Sequence, residues 1–269
     1  MVFCFPQSTA MVPMLHVHPS HAAMIRKPER LAVEPRVPVS DYTDSFGNRC
    51  SRLVVPCRRV GFRHDTIIED NGQPDPQVWD ALPHNGQDLP DDVLIFLLAS
   101  RYCEVDSDLK NLAGILFNDV RPGWSRVQAI RNFVHQHIHF DYMQARVNRT
   151  ALEAFHERTD VCRDCTHLAI ILCRCMNIPV RYYTGYLSDI GEPPTSTPMD
   201  FSAWFEAYLG GKWHAFDSPN NVPRTGRVLM AYGRDAADAA LMTTFGPHQL
   251  ESFKVWTDDS SSATLRQPR

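Results

Sequence analysis

The segment from Cys162 to Met176 constrains this chain more than any other. Leu168, Ile171, Leu172 and Cys175 recur at helical spacing, and apolar residues fill the gaps between them. A helix that is apolar nearly all round has to be wrapped on every side by other elements. Asn177 closes it, and Pro179 stops it from continuing. Three strand-like runs follow: Val180–Leu187, Ser202–Leu209 and Lys212–Phe216. Gly210-Gly211 between the last two predicts a tight turn and an antiparallel hairpin. The expected centre of the fold is therefore a buried helix on an antiparallel sheet.

Upstream of this centre the sequence predicts more helices. Asp91 to Tyr102 opens acidic and continues apolar, Ser107 to Phe117 is a second candidate, and Pro122 to Ile138 carries Val127, Ile130, Val134 and Ile138 on one face. Thr150 is a good N-cap for a helix running to Glu157. The first ninety residues read as β-rich: Met11 to His18 alternates loosely, Arg49 to Val55 and Arg58 to Ile68 are strand-like, and Asp44 to Asn48 is a turn. The polar stretch from Asn71 to Pro90 reads as a linker. A late strand is expected at Phe253 to Trp256. The division is a β-rich N-terminal domain over 1–88 and an α+β domain over 89–269.

Composition limits the functions open to such a chain. It has 269 residues, 43% of them hydrophobic and 22% charged, which allows a sizeable core. A net charge of −4 gives no electrostatic reason to expect nucleic acid or a membrane surface as partner. No apolar run reaches the roughly 18–20 residues of a membrane span, and the N-terminus lacks the basic region of a signal peptide. The eight cysteines crowd unevenly, four of them in one helix, which fits buried free thiols and a cytoplasmic location.

Cys162 opens the buried helix. A helix N-terminus presents unpaired N–H groups and a partial positive charge, which favour a thiolate and can hold an oxyanion. Cys165, Cys173 and Cys175 lie deeper and read as packing residues. Asp217 ends a hairpin strand, where a polar side chain reaches a cleft; a turn-forming role before Ser218-Pro219 is the alternative. Cys162-x-x-Cys165 with Cys173-x-Cys175 does not make a metal site, because Cys173 and Cys175 lie about 200° apart on a helix. His135, His137 and His139 are similarly splayed, and His16-x-His18 would share a strand face without an obvious third ligand. No metal or cofactor is expected.

The run Asp160-Val161-Cys162-Arg163-Asp164-Cys165-Thr166-His167-Leu168, then Asn177-Ile178-Pro179-Val180-Arg181 and Gly185-Tyr186-Leu187, resembles the core of bacterial transglutaminase-like proteins. A second block, Ala203-Trp204-Phe205-Glu206-Ala207-Tyr208 and Gly211 to Asp217, matches in order and spacing. The resemblance covers roughly residues 91–250. It implies a papain-like, transglutaminase-like α+β core and a Cys-His-Asp triad, with Cys162 as nucleophile and Asp217 as orienting acid. It implies thiol-dependent hydrolysis or acyl transfer on a peptide or amide substrate through an acyl-enzyme.

Three positions depart from that pattern. The triad histidine is expected just before Ala203-Trp204, where this chain has Ser202, and a hydroxyl is no base at neutral pH. Asn220 stands at another position where a histidine is expected, and Asp160 replaces a glycine beside the cysteine, where its charge would oppose a thiolate. His214 is on the right strand but alternates to the face opposite Asp217, and His167 lies about 140° round the helix from Cys162. Tyr142, Asp164 and Trp204 are candidate substrate-contacting residues, each with a plain packing or ion-pairing alternative. Two functions stay open: a thiol hydrolase or acyltransferase, including a biosynthetic amide-forming one, and a catalytically impaired module that binds its ligand.

Overall fold

The computed structural model describes residues 1–188, 190 and 199–259. Six strands occupy the N-terminal part: β1 (Val2–Cys4), β2 (Thr9–Pro13), β3 (Ile25–Glu34), β4 (Val39–Thr43), β5 (Arg49–Val55) and β6 (Arg59–Ile68). Next come α1 (Asp91–Leu94), α2 (Leu109–Phe117), α3 (Trp124–His137), β7 (His139–Phe140), α4 (Ala151–Glu157), β8 (Thr159–Asp160) and α5 (Cys162–Cys175). The strands β9 (Val180–Leu187), β10 (Ser202–Leu209), β11 (Lys212–Phe216), β12 (Arg227–Gly233), β13 (Met242–Thr244) and β14 (Gln249–Ser252) complete the chain.

Helix α5 is the centre of the core. Leu168 through Cys173 are all fully buried. They pack with Ala113 and Phe117 of α2, Val127, Ile130 and Val134 of α3, Ala151 of α4, and Ala203, Phe205 and Ala207 of β10. The helix ends as the sequence predicts. Asn177 takes a left-handed φ of 58°, the Ile178 N–H returns to the Cys173 carbonyl, and the Asn177 N–H returns to that of Arg174. Arg174 is itself buried and donates to the carbonyls of Leu98, Val180 and Arg234. Those bonds tie the negative end of the helix to three surrounding segments.

The core sheet runs β11-β10-β9-β12, antiparallel throughout. Gly210 and Gly211, at φ 56° and 77°, make the tight β10–β11 turn that the sequence predicts. One sheet face packs on α5. The other carries Arg181, whose guanidinium bonds Glu206 at 2.7 Å and lies over the rings of Trp213, Tyr183 and Tyr232.

The β-rich part is built from both ends of the chain. The sheets are β14-β1-β6-β3 and β13-β2-β5-β4, so β13 and β14 join strands more than two hundred positions earlier in the sequence. The expected strand at Phe253–Trp256 therefore needs correction. The pairing lies at Met242–Thr244 and Gln249–Ser252, and Phe253 instead packs its ring on Phe201. The long helix expected over Asp91–Tyr102 is also corrected. After α1 and a 3-10 turn to Leu97 the chain extends, because Arg174 takes the Leu98 carbonyl, Ser100 pairs with Cys103 and Asp235 takes the Tyr102 N–H.

Gly185 in β9 shows how close this packing is. A Cβ there would meet the Val228 carbonyl oxygen at 2.0 Å and the Trp204 ring at 3.1 Å. Backbone of a neighbouring strand cannot yield as a side-chain tip can, so overpacking at this point costs about 2 kcal/mol or more. Urea unfolding of Gly185→Ala is expected to show that loss as a lower midpoint with an unchanged slope.

Candidate active site

Cys162 begins α5, and Val161 immediately before it is extended. The Asp164 and Cys165 N–H groups turn back to the Val161 carbonyl, which leaves the cysteine at the open end of the helix. Its Sγ lies 3.9 Å from the Phe201 carbonyl oxygen, to which the thiol donates. The Ala203 and Arg163 backbone N–H groups face the sulfur and favour its thiolate. Thr166 clips the two elements together, its hydroxyl donating to the carbonyls of Cys162 and Ala203.

The charge state of the thiol runs against a resting nucleophile. Cys162 keeps some surface exposed, but its sulfur is packed, and burial followed by the charge of Asp200 pushes the thiol up to about 12. Asp200 is the carboxylate that matters here. Its own acidity is weakened by burial, and its Oδ1 accepts the Phe201 N–H at 2.6 Å. The sequence alone offered no motif for it; only its position two residues before Ser202 marks it.

Asp160 is fully buried, but it stands in an ion-pair cluster. Arg149 reaches Asp160 at 2.5 Å and Asp164 at 3.3 Å, and Arg163 reaches Asp164 at 2.6 Å. Burial and the neighbouring Asp164 raise Asp160, and Arg149 opposes that rise. Asp164, 1% exposed, thus faces two arginines inside the protein and not the cleft. Arg149 is the residue the sequence reading missed. Its signal is the charge it shares with two carboxylates brought beside it by the capping-box turn into α4.

Asp217 follows β11 and is 1% exposed. Its carboxylate accepts the Asn220 N–H at 2.8 Å, the Asn220 side-chain amide at 2.9 and 3.0 Å, and the Arg227 guanidinium at 2.9 Å. Arg227 also binds Asp75 from the predicted linker and lies 4.9 Å over the Trp204 ring. Trp204 is 2% exposed, packed with Tyr183 and Leu229 on the sheet face away from α5. Ser202 heads β10 opposite Gly185. Tyr142 lies beside Cys162 and Asp200; burial, then those two groups, raise its phenol to about 12.

Among the described residues no histidine hydrogen-bonds to Cys162 or Asp217. The His214 ring stacks edge-on to Trp124 and bonds the Leu209 carbonyl. It pairs with Ala207, five residues along β10 from Ser202 and so roughly 16 Å away at 3.3 Å per residue. His167 is fully buried between Tyr102 and Tyr182, accepts the Ala236 N–H, and is held neutral by burial at about 3. The structure thus brings Tyr142, Asp200 and Asp217 into electrostatic range of Cys162, sets Ser202 at the head of β10 between Phe201 and Ala203, whose backbones meet the sulfur, and leaves His214 and His167 bonded elsewhere and Asp164 in its arginine cluster. The described open cavities lie elsewhere; one of about 690 Å³ is lined by Lys110, Arg126 and Cys175 at the far end of α5.

Comparison with known proteins agrees with this architecture. The profile of the transglutaminase-like superfamily core matches residues 112–218. A solved candidate cysteine protease from Cytophaga hutchinsonii is 28% identical, with a TM-score of 0.79 over 96% of this chain and 91% of that one. The periplasmic domain of TgpA from Pseudomonas aeruginosa overlaps with a TM-score of 0.41 at 13% identity, covering 80% of this chain and 88% of that one. An uncharacterized protein, ML0607, from Mycobacterium leprae is 35% identical over 97 residues, 35% of this chain. That match spans about a third of the relative's own length, 34%. Helix α5, strands β9 to β11 and Cys162 all lie within residues 112–218, the segment that matches the transglutaminase-like superfamily core.

Proposed function

We propose that this chain is a transglutaminase-like module that binds a peptide or amide segment at Cys162 and is impaired for turnover. The observation that carries this reading is that, among the described residues, no histidine hydrogen-bonds to Cys162, whose thiol is raised by burial and Asp200; the resemblance expects that base at 202, where the chain has serine. Cys162 is the reactive atom of the site, Asp217 is the acid held in reserve by Arg227 and Asn220, and Tyr142 lines the entrance. The eight free thiols support a reducing compartment, the cytoplasm. No described helix is long and apolar enough to cross a membrane.

A thiol-dependent hydrolase or acyltransferase is the second reading, and Asp200 favours it. Its charge acts on the Cys162 thiol. In that reaction the thiol proton passes to Asp200 as the sulfur attacks the amide carbonyl, Asp200 returns it to the leaving nitrogen as the C–N bond breaks, and the amine departs to leave an acyl-enzyme. Water then yields hydrolysis and a second amine yields transfer.

Iodoacetamide labelling resolved by peptide mass spectrometry separates the two readings. On the first, Cys162 labels slowly at pH 7, and its rate still climbs about tenfold per pH unit above pH 9. A plateau below pH 8 contradicts that reading.

Turnover is the second check. Against a library of peptide amides, wild type and Cys162→Ala are expected to be equally inactive, while Ser202→His gains about 10²-fold, the lower end of what a general base supplies. Cys162-dependent cleavage by wild type that disappears in Asp200→Asn favours the hydrolase instead.

A further inference from the structure

His16, Glu29 and His64 converge far from Cys162 in sequence and element. Glu29 belongs to β3 and His64 to β6, paired strands of one sheet, and His16 lies in the segment leaving β2 of the other. The register of β3 on β6 shifts between Lys27 and Arg30, a stretch that contains Pro28 and Glu29. A proline cannot donate to the ladder, and such an irregularity re-aims the side chain beside it. The three side chains are 3%, 6% and 4% exposed.

Their donor atoms lie within 4.8 Å of one another. His64 Nε2 is 3.1 Å and His16 Nδ1 is 3.8 Å from Glu29 Oε1. Three donors around a zinc-type ion, each at about 2.0–2.1 Å, sit about 3.4 Å apart. The observed spacing reaches that arrangement by movements of less than about 1 Å. Hydrogen bonding accounts for part of the cluster: Oε1 accepts the Val17 N–H at 2.6 Å, and His64 lies within reach. It accounts less well for His16, whose buried Nδ1 makes no hydrogen bond and stands 3.8 Å from the Glu29 carboxylate, an ion-pair distance longer than a hydrogen bond. Arg49 Nη1 stands 3.6 Å from Oε2, the other oxygen, and its charge is shared with Asp41 at 2.7 Å.

We infer that His16 Nδ1, His64 Nε2 and Glu29 Oε1 form a binding site for a first-row divalent cation of the zinc class. Two imidazoles and a carboxylate suit zinc, and they exclude calcium and magnesium, which take oxygen ligands. The site completes a coordination sphere with one water and clamps the two N-terminal sheets together. Its ligands come from the β-rich part while Cys162 opens α5, so the ion belongs to a site separate from the cysteine.

The test loads the full chain with zinc or cobalt(II), dialyses it against metal-free buffer, and measures bound metal, the visible spectrum and thermal unfolding. The expected result is about one ion per chain, cobalt bands of a four-coordinate site without a thiolate charge-transfer band, and a melting temperature that falls on chelation. Glu29→Gln retains an oxygen to accept the Val17 N–H, and is expected to stay folded by circular dichroism yet lose the ion. His64→Gln serves as the second variant. The inference is overturned by a dialysed protein free of metal, by a thiolate band that places the ion on cysteines, or by full retention in both folded variants.

Discussion

Burial of α5 is the constraint on which the rest of the structure depends. A helix apolar on every side stays folded only if α2, α3, α4 and the sheet enclose it. That enclosure fixes where Cys162 stands, and it also sets the charge on its sulfur. The field of a helix end is worth up to about 1 kcal/mol at an exposed site. Taking a charge out of water without a partner costs several kcal/mol. Position at the helix head therefore does not make a thiolate here. The scaffold delivers the sulfur to the cleft, and a partner cation has to do the rest.

No cation among the described contacts meets the sulfur; the arginines of this region are spent underneath it. Arg149 and Arg163 hold Asp160 and Asp164, two buried carboxylates that could not both ionise without them. The cost of leaving either carboxylate alone keeps both guanidinium groups facing inward. This also alters how Asp160 bears on the cysteine. From the sequence, its charge would oppose a thiolate. In space Asp160 is turned to Arg149, burial and Asp164 disfavour its ionisation, and the carboxylate that acts most on the sulfur is Asp200, just before β10.

The core was legible because its signals are local. Asn177 and Pro179 end α5, Gly210-Gly211 turns the hairpin, and Thr150 caps α4 with Glu153 completing the box. The β-rich part was less so. β3 contains Pro28, which reads as a break, and β13 and β14 are short runs whose pairing partners lie at the other end of the chain. A run of three or four residues is too short to show an alternation, and nothing local marks a partner at the far end of the chain. The site divides in the same way. Cys162 and Asp217 announce themselves by motif, whereas Asp200, Arg149 and Arg227 gain their meaning only from neighbours distant in sequence.

The fate of Asp217 ties the missing base to the rest of the cleft. A carboxylate 1% exposed must have donors, and without an imidazole to orient it finds others. Asn220 gives it a backbone and a side-chain donor, and Arg227 gives a charged one. With about four acceptor sites on the two oxygens, little capacity is left. Arg227 is fixed in turn by Asp75 and by the Trp204 ring, so it cannot swing away cheaply. A histidine entering at Ser202 would meet an acid already engaged, and would have to displace one of those donors to be oriented. Asn220 and Arg227 thus hold Asp217 in its present hydrogen bonds, so an imidazole at 202 would be oriented only in part, and its gain would stay at the lower end of what a general base supplies.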